Sequence, residues 1–156
     1  MQRSTNQRVP GMLILNEYGF LPVPPPCLDV RFTDLPGVFG NGGSRGQLWA
    51  SVRNFSRLLI ERTTIREFYL DGDYISAHDK PPAVEVGIEL SDGVTNADLK
   101  VLDQPFDEEW SLWVNFYAPR RPDTYNFHES FQLPDPEVSR TGLPNDLRKG
   151  YLRVKL

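Results

Sequence analysis

The stretch that most constrains the fold runs from Ile65 to Leu90, IREFYLDGDYISAHDKPPAVEVGIEL. Its second half alternates, with Val84, Val86, Ile88 and Leu90 on one side and Glu85, Gly87 and Glu89 on the other. A period of two marks a strand with one buried face, and here the opposite face carries carboxylates. The first half places apolar or aromatic side chains at Ile65, Phe68, Tyr69 and Leu70, then ends in Asp71-Gly72-Asp73. Two core strands are expected, joined by a Gly-centred turn and a proline-marked loop. The end of the first strand is where α/β folds display their chemistry.

The remaining elements follow in order. Residues 1–11 lack periodicity and read as a disordered tail, leaving 12–156 as a single domain. Leu21 to Pro26, LPVPPP, is excluded from a helix interior and is expected to be extended or polyproline-like, either a spacer or a ligand for a partner groove. Asp34 to Gly43 reads as a loop, and Ser44 as the N-cap of a helix reaching about Arg62. Within that helix Leu48, Val52, Phe55 and Leu59 form an apolar stripe. Arg45, Arg53, Arg57 and Arg62 oppose it, either as a solvated face or as a surface for a triphosphate or an acidic partner.

Further along, Thr95 reads as the cap of a short helix over Asn96 to Leu102. Leu112 to Tyr117 alternates as a strand, and Tyr151 to Leu156 as a last strand at a sheet edge. Tyr125 to Leu133 fits a helix or a strand equally. The sum is an α+β fold: a small mixed or antiparallel sheet flanked by helices.

Composition bounds the function. A chain of 156 residues buries a core as one domain. Its net charge of -4 argues against a general nucleic-acid surface and leaves a protein partner as the expectation. One cysteine, Cys27, precludes an internal disulfide framework and fits a cytoplasmic setting. No apolar run approaches the roughly 18 residues of a membrane span. His78 and His128 lack Cys or His partners at metal-ligand spacing, and no Walker loop, GxSxG or dinucleotide fingerprint occurs. Phe39-Gly40-Asn41-Gly42-Gly43-Ser44 before a helix allows anion binding. Trp110, Trp113, Tyr117 and Tyr125 lie around Asp107-Glu108-Glu109, an acidic-aromatic set suited to a protein interface.

Three segments carry a resemblance: Asn16-Glu17-Tyr18-Gly19-Phe20-Leu21-Pro22, the run Leu70 to Leu90, and Lys149-Gly150-Tyr151-Leu152-Arg153-Val154. In this order they resemble the small minimal-nucleotidyltransferase-like proteins, over nearly the whole chain from about Met12. The resemblance implies a nucleotidyltransferase-like fold, with Gly72 as the phosphate turn and Asp73 and Glu85 as a metal pair. Nucleotidyl transfer uses divalent cations held by carboxylates against the triphosphate, so Mg2+ and an NTP would be the cofactors of an active form. The chain departs from the pattern at each key position. Asp73 replaces a serine, Glu85 stands for the Asp-x-Asp motif, and Asn115 falls where a third carboxylate is expected. The resemblance therefore implies a degenerate transferase, of toxin-antitoxin or phage-defence type, with weak or no activity. The alternative is a non-catalytic protein-binding module, an immunity-type inhibitor or scaffold, acting through the acidic-aromatic face.

Overall fold

The computed structural model describes residues 15–40, 42–62, 65–77, 80–102, 111–134, 143–144 and 146–156. The expected tail 1–11, His78, Asn41 and the acidic run 107–109 with Trp110 lie outside the described residues. The elements are β1 (Cys27–Arg31), α1 (Leu35–Phe39), α2 (Gly43–Arg62), β2 (Ile65–Asp71), β3 (Val84–Leu90), α3 (Asn96–Leu102), β4 (Leu112–Tyr117) and β5 (Tyr151–Lys155).

The strands form one five-stranded mixed sheet in the order β1-β5-β2-β3-β4. Neighbours β2 and β3, and β2 and β5, run antiparallel, while β1 with β5 and β3 with β4 run parallel. Cross-strand partners share a face. Phe68 pairs with Ile88 and Val154, Leu70 with Val86 and Leu152, and Val86 with Val114, which makes one face apolar throughout. Leu48, Val52, Phe55 and Leu59 of α2 are buried in the same core. Each such side chain taken out of water contributes about 1.5–3 kcal/mol, so this stripe is what seats α2.

Several expectations need correction. Helix α2 begins at Gly43, which puts Gly42 rather than Ser44 at its N-cap and leaves Ser44 inside the first turn. The loop expected at 34–43 contains α1, whose Pro36 sits in its first turn, where the missing amide matters least. Strand β1 was not expected, because its half-buried pattern follows a proline run. Strand β5 is not at an edge but lies between β1 and β2. Its Leu152 and Val154 are buried on the apolar face and Tyr151 on the other, as an inner strand requires. Residues 23–26 bend and are exposed rather than following a continuous extended path. Between Tyr125 and Leu133 the only regular element is a 3-10 turn, Ser130–Gln132. No described helix is long and apolar enough to cross a membrane.

Candidate site on the polar face of the sheet

The second face of the sheet carries the chemistry-bearing residues, and the register sets them in rows. Asp71 pairs with Glu85, which pairs with Trp113; one row along, Tyr69 pairs with Gly87, which pairs with Asn115. Glu85 and Asn115 are therefore diagonal neighbours, with backbones about 7–8 Å apart. Gly72 has φ 86°, a conformation that favours glycine, and a β-carbon there would lie 3.4 Å from Glu85. Asp73 opens a 3-10 turn, Asp73–Ile75, and its carbonyl accepts the Ser76 amide and hydroxyl. Gly72 and Glu85 thus meet, and Asn115 shares their face one row away. Among the described residues no group of three His, Cys, Asp or Glu side chains converges as a metal site.

Asp71 is the buried anion of this end of the sheet, 1% exposed. The Lys149 ammonium, itself 5% exposed, forms an ion pair with it and donates to Phe131 O at 2.9 Å. The Glu85 side chain and the Gly72 amide also hydrogen-bond to Asp71. Burial raises the Asp71 pKa above the ordinary value, against the opposing pull of Lys149 and of those hydrogen bonds. Lys149 thus places a positive charge on the carboxylate to which the Glu85 side chain is also bonded.

The three segments of the resemblance meet here. Asn16 Oδ1 accepts the Tyr18 and Phe20 amides, forming a tight turn at the first segment. Gly19 has φ 82°, and a β-carbon there would come within 2.9 Å of that of Ala77. The Ala77 amide donates to Gly19 O at 2.9 Å, and the Gly150 amide to Leu21 O at 2.8 Å. Phe20 and Leu21 are buried beneath. Segment 16–22 therefore ties the turn after β2 to the start of β5.

The middle of the polar face is covered by the chain itself. Phe127 lies on Gly87 so closely that a β-carbon there would meet its ring at 2.4 Å. His128 stands beside it, with Nδ1 2.6 Å from the Tyr151 hydroxyl and Nε2 3.0 Å from Glu89 Oε1. In a neutral imidazole the Tyr151 hydroxyl donates to Nδ1 and the Nε2 proton goes to Glu89. Glu89 also faces Arg66 at 3.5 Å, and Tyr69 meets the imidazole edge-on at 4.8 Å. Burial pushes the Tyr69 hydroxyl up to about 12 and raises that of Tyr151 as well. Neither the His128 cluster nor the Lys149 pairing was expected from the sequence. The one available signal was Lys149-Gly150 itself, noted as a motif without a partner.

The other candidates resolve differently. Arg45 turns inward, donating to Tyr74 O and, at 2.9 Å, to Ser76 O, while Arg53 stacks over Trp49 at 4.8 Å. Arg45 and Arg53 are therefore engaged at separate places rather than on one anion surface. Burial raises the Cys27 thiol pKa, the direction that disfavours the nucleophilic thiolate. Trp113 and Tyr125 are 49% and 55% exposed, so this part of the aromatic set faces solvent. Residues 14–155 match the protein family described as "Family of unknown function (DUF6932)". No curated protein and no solved structure matches the chain.

Proposed function

The chain belongs to the DUF6932 family, and we propose that it is a non-catalytic protein with a degenerate nucleotidyltransferase-like fold that works by binding another protein. The observation that carries this reading is the buried Lys149 ammonium on Asp71, with Glu85 bonded to the same carboxylate. A two-cation site needs carboxylates with open lone pairs in a low-dielectric pocket. Here a side-chain cation already neutralises the buried carboxylate, and a divalent ion placed beside it is repelled. Asp71 and Glu85 therefore do not fit as ligands of a metal-nucleotide complex. Beyond Glu85 on the same face, Phe127 fills the space over Gly87. Exposed Trp113 and Tyr125 supply the kind of side chain that dominates protein interfaces.

Thermal melting with each nucleoside triphosphate, with and without Mg2+ or Mn2+, tests this. A ligand at a hundredfold excess over its dissociation constant stabilises the folded state by about 2.7 kcal/mol. The expected result is no metal-dependent shift, and wild type, Asp73→Ala and Glu85→Ala respond alike. A metal-dependent rise in Tm that both variants abolish would restore the transferase reading, with Asp73 and Glu85 as metal ligands.

A further inference from the structure

Among the described residues β1 is the end strand of the sheet, with β5 on one side of it. The chain around it is described without a break from residue 15 to residue 40. One bond fixes which backbone groups point away from β5. The Tyr151 amide donates to Pro26 O at 3.0 Å, which turns Pro26, Leu28 and Val30 toward β5. Backbone groups alternate sides along a strand, so Cys27, Asp29 and Arg31 point theirs outward. Asp29 and Arg31 are also exposed, with 52% of the Asp29 side chain in solvent, whereas Leu28 and Val30 are half-buried. Both charged side chains stand on the polar face, where Asp29 pairs with Arg153 at 2.6 Å and Arg31 lies beside Lys155. The hydrogen bond from Arg153 holds the Asp29 carboxyl below its ordinary pKa, so Asp29 is an anion at neutral pH.

We infer that β1 is the contact of a homodimer, in which it pairs antiparallel with β1 of a second copy about a two-fold axis at Val30. The inference goes beyond the non-catalytic reading and does not depend on it. Its basis is self-complementarity in hydrogen bonding and in charge. With the axis at Val30, Asp29 of each copy faces Arg31 of the other, and these are residues whose backbone groups point outward. Each Arg31 amide then donates to the Asp29 carbonyl across the axis. Arg31 O already opens the 3-10 turn Phe32–Asp34, but a carbonyl has two lone pairs and accepts the opposite Asp29 amide as well. Facing residues share a face with β-carbons about 4.5–5.5 Å apart, so a carboxylate meets a guanidinium twice by symmetry. Each Arg31, set beside Lys155 of its own chain, gains an anion across the axis. Like charges along an edge strand repel a second copy, whereas opposite charges two residues apart attract one. A contact of this length buries far less than the roughly 1,200 Å² of stable interfaces, so association belongs in the micromolar range or weaker.

Sedimentation equilibrium of the full chain, from a few micromolar to roughly a millimolar, spans that range. Wild type is expected to pass from monomer to dimer. Its Asp29 and Arg31 amides are expected to exchange more slowly as concentration rises, a reading that needs no variant. Arg31→Asp sets like charges against each other at both symmetric pairs while leaving the new carboxylate beside Lys155 of its own chain. It is expected to weaken association about tenfold or more, with Tm unchanged. Asp29→Asn removes the attraction without adding repulsion and is expected to weaken association less. A monomer at every concentration overturns the proposal, as does a dimer undiminished by Arg31→Asp or amide exchange that ignores concentration. A dimer strengthened by Asp29→Asn also overturns it, because the axis would then lie at Asp29, with the two carboxylates facing each other. A metal-dependent nucleotide shift would overturn the non-catalytic reading instead and leave the sedimentation result standing.

Discussion

At the scale of single residues, Gly87 shows how much a sequence reveals and where it stops. The alternation of β3 assigns Gly87 to the carboxylate face, and a glycine inside a strand signals a bulge or a close approach. The approaching group, Phe127, lies 40 positions along the chain, in a stretch where periodicity does not separate helix from strand. The glycine is legible and its partner is not, because packing between distant segments leaves no local pattern. A consequence follows for stability. Phe127 is fully buried, so a methyl group on residue 87 forces its ring out of a filled core. Gly87→Ala is expected to destabilise by about 1–3 kcal/mol, the usual range for overpacking. Gly37, in α1, meets nothing within 4 Å at the same position, and there the substitution removes only a poor helix former. Gly37→Ala is expected to stabilise by up to about 1 kcal/mol. Urea denaturation of both variants checks the pair; equal effects would mean that Phe127 does not rest on Gly87.

At the scale of elements, legibility follows the strength of the local period. Strands β2, β3 and β4 and helices α2 and α3 have one clearly apolar side, and their limits fall within one residue of those expected, save the start of α2, which lies two residues earlier. Strand β1 lacks that contrast, with no fully buried residue, so nothing in its composition separates it from the proline run before it. The position of β5 was misjudged for a different reason: alternation reports that a strand exists, whereas its neighbours depend on pairing across the whole chain. Caps are local and therefore readable. Thr95 Oγ1 accepts the Asp98 amide at 3.2 Å, and Asp98 Oδ2 accepts the Thr95 amide at 2.9 Å, a reciprocal capping box at the start of α3. This box is exposed and its two bonds are local, although Arg121 also donates to Val94 O and Asn96 Oδ1 on either side of Thr95. Thr95→Ala is expected to cost about 1 kcal/mol. Hydrogen exchange should show faster opening of the Asp98 and Leu99 amides while the β2 and β3 amides keep their rates. Uniform acceleration across the sheet would show that α3 is coupled to the core more tightly than its cap implies.

At the scale of the whole molecule, the Asp71–Lys149 pair joins the end of β2 to the approach to β5 across 78 positions. Both residues stand in segments that the sequence marks, Asp71-Gly72-Asp73 and Lys149-Gly150, yet neither segment names the other. Breaking a buried pair from one side leaves the other charge without compensation, which typically costs about 3–5 kcal/mol. Lys149→Met is expected to fall in that range by chemical denaturation. Adding Asp71→Leu should recover most of the loss, because the stranded charge goes with it. The pH dependence tests the balance within the pair. The folded pKa of Asp71 lies above its ordinary value of 3.8, since burial outweighs Lys149. Folding therefore favours the protonated carboxyl: that contribution is complete below pH 3.8 and is lost as pH rises through the folded-state value. Asp71→Asn cannot titrate. Measured against it in urea, wild type should hold its greatest advantage in acid and lose ground as pH increases toward neutrality. A wild type that instead gains on Asp71→Asn over the same interval would mean that attraction to Lys149 outweighs burial, and that the pair stabilises the fold in its fully charged form.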